Sequence, residues 1–91
     1  MKAKVSLLAL QFKDFVPPDG KTFEIDVPCG SRVCDVVNLL SERLSTNIGE
    51  FLMSKKVVLL FRNRALQYEK DADLEITDGE NFIFITPLIG G

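Results

Sequence analysis

The sequence predicts an α+β domain: one main helix lying across one face of a mixed sheet of four to five strands. Three observations predict it. A single stretch carries helical apolar spacing, several short Val-, Ile- and Phe-rich runs carry strand patterning, and turn formers punctuate the intervals. At 91 residues, with 46% hydrophobic and 26% charged side chains, the chain has the composition of one folded domain with one core.

The opening run from Ala3 to Phe12 reads as the first strand, and "FVPPDGK" after it supplies Pro17, Pro18, Asp19 and Gly20 for a hairpin turn. In "KTFEIDV", Phe23, Ile25 and Val27 alternate with Thr22, Glu24 and Asp26, the pattern of a half-buried edge strand that Pro28 and Gly30 stop. Ser31 is a candidate N-cap. Beyond it Val33, Val36, Val37, Leu40 and Leu44 form one helical stripe, with Asp35 and Arg43 placed to suit the helix dipole. "STNIG" ends the helix, and Glu50 to Ser54 has room for one further turn.

"VVLLF", Val57 to Phe61, reads as a third strand. "RNRA" then turns into a short strand at Leu66 and Gln67, and Tyr68 to Ala72 reads as a charged loop. "TDGE", around Asp78 and Gly79, opens the last strand from Asn81 to Thr86. Pro87 lacks an N–H and cannot continue a central ladder, so the domain spans residues 1–86 and a tail spans 87–91.

The first, third and last strands are apolar on both faces, yet one helix covers only one of them. The leftover face is therefore expected to present large apolar side chains, with Phe82, Phe84, Leu8 and Leu10 as the candidate partner-binding residues. The other reading is that loops such as 47–56 fold over it. Alternation groups these residues without saying which group meets the helix.

Several function classes are disfavoured. Thirteen acids and eleven bases give a net charge of -2 with interspersed signs, which is no nucleic-acid footprint. The chain has no histidine, the commonest general base and metal ligand, so neither an independent enzyme nor a metal site is expected. "MKAKVSLLALQFKD" is too short in its apolar part for a signal peptide, and no run approaches the roughly 18 apolar residues of a membrane span. A cytosolic protein with no membrane partner is the expectation, and a reducing compartment suits its two cysteines.

Cys34, near the helix start, reads either as a thiol of lowered pKa or as a small packing residue. A Cys29–Cys34 bridge is the less favoured pairing. Lys55, Lys56, Arg62 and Arg64 read either as a solvated face or as a surface for an acidic partner.

The sequence ends on "TPLIGG". Glycines at positions 90 and 91 add nothing to a core, but they make a thin tip whose terminal carboxylate another backbone or a nucleotide can approach closely. Extended, Pro87 to Gly91 projects by on the order of 15 Å. The carboxylate, with a reference pKa of about 3.5, is an anion at neutral pH and a poor electrophile until activated.

Two stretches, "VPCGSRVCDVVNLL" and "DADLEITDGENFIFITPLIGG", together with the element order, make the chain resemble the ubiquitin-like β-grasp sulfur carriers of the MoaD/ThiS kind. These are the small subunit of molybdopterin synthase and its thiamine-pathway relative. Asp78, Gly79, Glu80, Pro87, Gly90 and Gly91 match the family's Asp-Gly-acid turn and Pro-x-x-Gly-Gly ending. "RNRA" departs from the usual Val-Asn-Gly-like turn, and Thr86 stands where the molybdopterin branch often has a second proline.

The resemblance implies transfer rather than catalysis. A ubiquitin-activating-type adenylyltransferase would use ATP to adenylate Gly91, and a persulfide sulfur donor would convert it to a thiocarboxylate. The tail of Leu88, Ile89 and Gly90 beyond Pro87 would then deliver the sulfur to the large subunit of molybdopterin synthase or another sulfur-accepting enzyme. The alternatives are a protein modifier joined through Gly91 to target lysines, a chain that does both, and an interaction module whose glycines are incidental.

Overall fold

The computed structural model describes residues 1–9 and 22–87. Among them the order is β1 (Lys2–Leu7), β2 (Thr22–Asp26), α1 (Val33–Leu44), α2 (Ile48–Met53), β3 (Val58–Phe61), β4 (Arg64–Ala65), α3 (Tyr68–Asp71) and β5 (Glu80–Ile85). The five strands form one mixed sheet in the order β2-β1-β5-β3-β4. β1 and β5 pair in parallel at its centre, while β1–β2, β3–β5 and β3–β4 are antiparallel.

β1 is buried on alternate residues. Ala3, Val5 and Leu7 face inward, whereas Lys2 and Lys4 are exposed and Ser6 is half-buried. Leu8 extends the pairing by donating its N–H to the Phe84 carbonyl at 2.8 Å. The far end of the expected first strand, Leu10 included, and the Pro-Pro-Asp-Gly turn lie outside the described residues. β2 is an edge strand as its alternation predicted, with Ile25 and Val27 buried and Thr22, Glu24 and Asp26 exposed.

The stripe of α1 buries Val33, Val36, Val37 and Leu40 completely, while Leu44 packs half-buried at its end. Its N-cap is Arg32 rather than Ser31. The Arg32 N–H donates to Asp35 Oδ2 at 2.8 Å, so a carboxylate one turn on satisfies the helix start. Ser31 is instead consumed one residue earlier, its hydroxyl donating to the Pro28 carbonyl at 2.6 Å and its carbonyl accepting from Ile76 N–H. Ser45 ends α1 in the left-handed conformation (φ 53°).

The further turn begins earlier than expected, at Ile48, because Asn47 Oδ1 accepts the Glu50 N–H at 3.1 Å and caps it. α2 packs against α1 and buries Ile48 and Leu52 in the core that holds Phe82 and Phe84. The 47–56 segment therefore thickens the helix layer instead of folding over the other face of the sheet.

Arg62 and Asn63 both have positive φ (54° and 65°), the signature of a two-residue type I′ hairpin. The partner strand is consequently Arg64–Ala65, two residues before the expected Leu66–Gln67, although Leu66 N–H still reaches the Leu59 carbonyl at 2.8 Å. Tyr68–Asp71 is a helical turn rather than a loop, closed where the Gln67 N–H donates to Asp71 Oδ2 at 3.0 Å.

At the last turn, Gly79 takes φ 81°, a conformation a Cβ would strain. Its N–H reaches the Lys2 carbonyl at 2.8 Å while Asp78 Oδ1 accepts the Lys2 N–H at 2.7 Å. The Asp-Gly pair thereby clamps the start of β5 onto the start of β1 and sets the parallel register.

Candidate functional site

The core takes Phe82 and Phe84, both 0% exposed, against α1. This corrects the expectation that they form the partner surface. Phe82 also meets Phe61, ring centroids 5.3 Å apart and tilted by 39°, a contact worth about 1 kcal/mol beyond area burial. Burying three phenylalanines on one side of the sheet commits the alternate residues of the same strands to the other side.

Register fixes who those residues are. Ala65 pairs with Leu60, Leu60 with Ile83, Ile83 with Ser6, and Ser6 with Thr22, one row crossing all five strands. The next row along sets Val58 against Ile85, with Leu8 beyond the Leu7–Phe84 pair. Val58, Leu60, Ile83 and Ile85 are half-buried and Leu8 is 48% exposed. The open face thus carries a contiguous apolar patch. It is rimmed by Lys4, Asn81 and Arg62 and lies at the end of the sheet where β5 leads into Thr86 and Pro87.

Of the residues expected at the partner surface, Leu8 is on this face, Phe82 and Phe84 are not, and Leu10 lies outside the described residues. Val58, Leu60, Ile83 and Ile85 were missed as a group. The signal available was Lys4 and Ser6, whose polarity marks the open side of β1, but carrying it to the neighbouring strands needs the register.

Pro87 is half-buried and lines a groove of about 280 Å³ with Val58, Ala65, Leu66 and Tyr68 at the β4 side. Leu88, Ile89, Gly90 and Gly91, the expected delivery tail, lie outside the described residues.

Beside the patch sits a polar knot. The Arg62 guanidinium donates to Glu80 Oε2 and to the Glu75 carbonyl, each at 3.1 Å, and lies 4.8 Å over the Phe61 ring. Thr77 gives Glu80 Oε2 both its N–H (3.1 Å) and its hydroxyl (3.2 Å). Partial burial pushes the Glu80 carboxyl up, but the Arg62 hydrogen bond and the Thr77 donors outweigh it and hold it below the usual carboxylate range. Arg62 is thus committed to the fold, while Lys55 and Arg64 are exposed.

Cys29 is exposed and Cys34 half-buried, both as free thiols, and Cys34 donates its backbone N–H to the Ala72 carbonyl at 2.9 Å. Among the described residues no cluster of histidine, cysteine and acidic side chains is placed to hold a metal ion, and no helix is long and apolar enough to cross a membrane.

No established family profile matches the chain. A protein of uncharacterized function from Archaeoglobus fulgidus is 36% identical over 91 residues, the whole of both chains. Among solved structures, a Pyrococcus furiosus protein assigned as molybdopterin converting factor subunit 1 superposes with a TM-score of 0.70 at 22% identity. It covers 97% of this chain and 99% of its own. Small archaeal modifier protein 1 from Haloferax volcanii superposes at 0.66 with 16% identity over 100% of both chains. The chain belongs to one family with the Archaeoglobus protein, and its fold is the ubiquitin-like β-grasp that the Pyrococcus and Haloferax proteins share.

Proposed function

We propose that the chain is a sulfur carrier whose Gly91 carboxylate is adenylated and then converted to a thiocarboxylate, for molybdopterin biosynthesis or a related pathway. The observation that carries this reading is the placement of the apolar patch at the end of the sheet from which β5 leads toward Pro87 and the Gly-Gly sequence. An enzyme gripping Leu8, Leu60, Ile83 and Ile85 would have the tail directed into its own active site. The patch supplies affinity and the tail supplies the reacting atom.

The chemistry balances in three steps. The Gly91 carboxylate oxygen attacks the α-phosphorus of ATP, forming the acyl adenylate and releasing pyrophosphate. A persulfide sulfur then attacks the activated carbonyl and AMP leaves, giving an acyl disulfide. A thiol reduces that disulfide, leaving the thiocarboxylate on Gly91 and a mixed disulfide behind. The carrier provides no catalytic group, so the activating enzyme, the large subunit of molybdopterin synthase or another acceptor, and the persulfide donor are separate proteins.

Likeness to small archaeal modifier protein 1 favours a second reading, in which a lysine amine takes the place of sulfur at the same adenylate. Both readings require Gly91. Incubation with ATP and a ubiquitin-activating-type adenylyltransferase is expected to release pyrophosphate, and the chain lacking Gly91 is expected to release none. Equal release from the shortened chain would overturn both.

A further inference from the structure

We infer that the groove at the β4 side of the sheet is the resting seat of the chain's own tail, taking the side chains of Leu88 and Ile89 when no partner holds them. The contact goes beyond the reaction proposed for Gly91 and is measurable whether or not that reaction occurs.

Register brings the tail to the groove. β3 and β5 pair antiparallel as Phe61–Phe82, Leu60–Ile83, Leu59–Phe84 and Val58–Ile85. Continued past the last pair, the same register sets Thr86 beside Val57 and Leu88 beside Lys55. Lys55, Val57 and Val58 all line the groove, and Pro87 is one of its walls. Leu88 follows Pro87 by one Cα–Cα step of about 3.8 Å, so it starts at the mouth of the groove with no linker to span. Leu8, by contrast, extends β1, on the other side of β5.

The lining suits what the tail carries. Around the groove of about 280 Å³, Leu52 and Val57 are buried, Val58, Leu66 and Tyr68 half-buried and Ala65 exposed. The Tyr68 ring rests against α2, since a Cβ placed on Gly49 would stand 3.7 Å from its Cε2. One wall is thus fixed before anything enters. Leu88 and Ile89 are the two apolar side chains between Pro87 and the paired glycines. Seating them removes apolar area from water on both sides of the contact.

Tethering rather than charge selects the occupant. The rim carries Lys55 and Glu69, one charge of each sign, so it favours neither a basic nor an acidic segment. A side chain tethered directly to the wall has an effective concentration on the order of millimolar, which a free segment of a partner or of a second copy does not match without holding on elsewhere as well. Val58 belongs both to the groove and to the open patch, so a seated tail borders the surface that a partner would grip. Where Gly91 is the reacting residue, the tail has first to be lifted out.

Tyr68 is the chain's one tyrosine and there is no tryptophan, so tyrosine fluorescence reports on this groove. The test compares acrylamide quenching of Tyr68 in the full-length chain with that in the Leu88→Asp/Ile89→Asp double variant, and records methyl-to-ring nuclear Overhauser contacts by NMR. The seated tail is expected to give contacts from the Leu88 and Ile89 methyls to the Tyr68 ring that do not depend on protein concentration, and quenching is expected to rise in the double variant. Leu66→Asp, which alters the groove and leaves the tail sequence intact, should lose the same contacts with the amide spectrum of the core unchanged. Equal quenching with and without the tail substitutions, contacts from Leu88 to Leu60 or Ile83 instead, or contacts that appear only as concentration rises, as the tail of a second copy would give, would each overturn the inference.

Discussion

Leu60 on β3 stands directly opposite Ile83 on β5, on the face of the sheet that the helices leave open. Neither side chain is needed to fill the core, which Leu59, Phe61, Phe82 and Phe84 fill from the same two strands. Under the proposed function their apolarity serves a partner rather than folding. Ile83→Asp is accordingly expected to leave the chain folded while reducing its activation by an adenylyltransferase more than tenfold, the loss of about 1.4 kcal/mol or more of docking energy. Circular dichroism beside pyrophosphate release separates the two effects, and activation at the normal rate would dismiss the patch.

Phe82, one residue earlier, should behave oppositely. Its ring is 0% exposed and meets Phe61, so Phe82→Ala is expected to cost about 3 to 5 kcal/mol. Ile83→Ala, at a half-buried position, should cost about 1 kcal/mol or less. Denaturant midpoints check the contrast. Similar losses at the two positions would mean that the assignment of faces is inverted.

The Glu80 knot makes stability depend on acid. Because the folded carboxyl lies below its usual value, its contribution is fully present above the unfolded pKa of about 4.3 and is lost as pH falls through the folded one. Glu80→Gln should therefore destabilise by about 1 to 2 kcal/mol at pH 7, with the penalty shrinking at an acid pH that protonates the folded carboxyl. An equal penalty at both pH values would show that shape, not charge, holds Arg62 in place.

The elements whose signals are local were legible in the sequence. The α1 stripe, the alternation of Thr22 to Val27, and the Asp78-Gly79 turn each announce themselves within a few residues. What was not legible depends on who lies next to whom. Phe82 and Ile83 are equally apolar, and only the register with Val5, Ser6, Leu60 and Phe61 decides that one is core and the other surface. The Arg32 cap was hidden for a similar reason, since Ser31 is drawn off by Pro28 and Ile76, the latter distant in sequence. Tyr68–Asp71 has the sequence signature of a loop because its composition is charged and one helical turn is too short to show a period.

If Gly91 is the reacting residue, as proposed, its state can be read from the mass of the C-terminal peptide of the protein purified out of its own cells under conditions that preserve thioacids. A fraction of molecules is expected in which one oxygen of the Gly91 carboxylate is replaced by sulfur. Recovery of Gly91 in amide linkage to lysines of other proteins would move the function to the modifier reading. An unmodified carboxylate in every molecule, even after supply of ATP, a persulfide donor and an adenylating enzyme, would contradict the account.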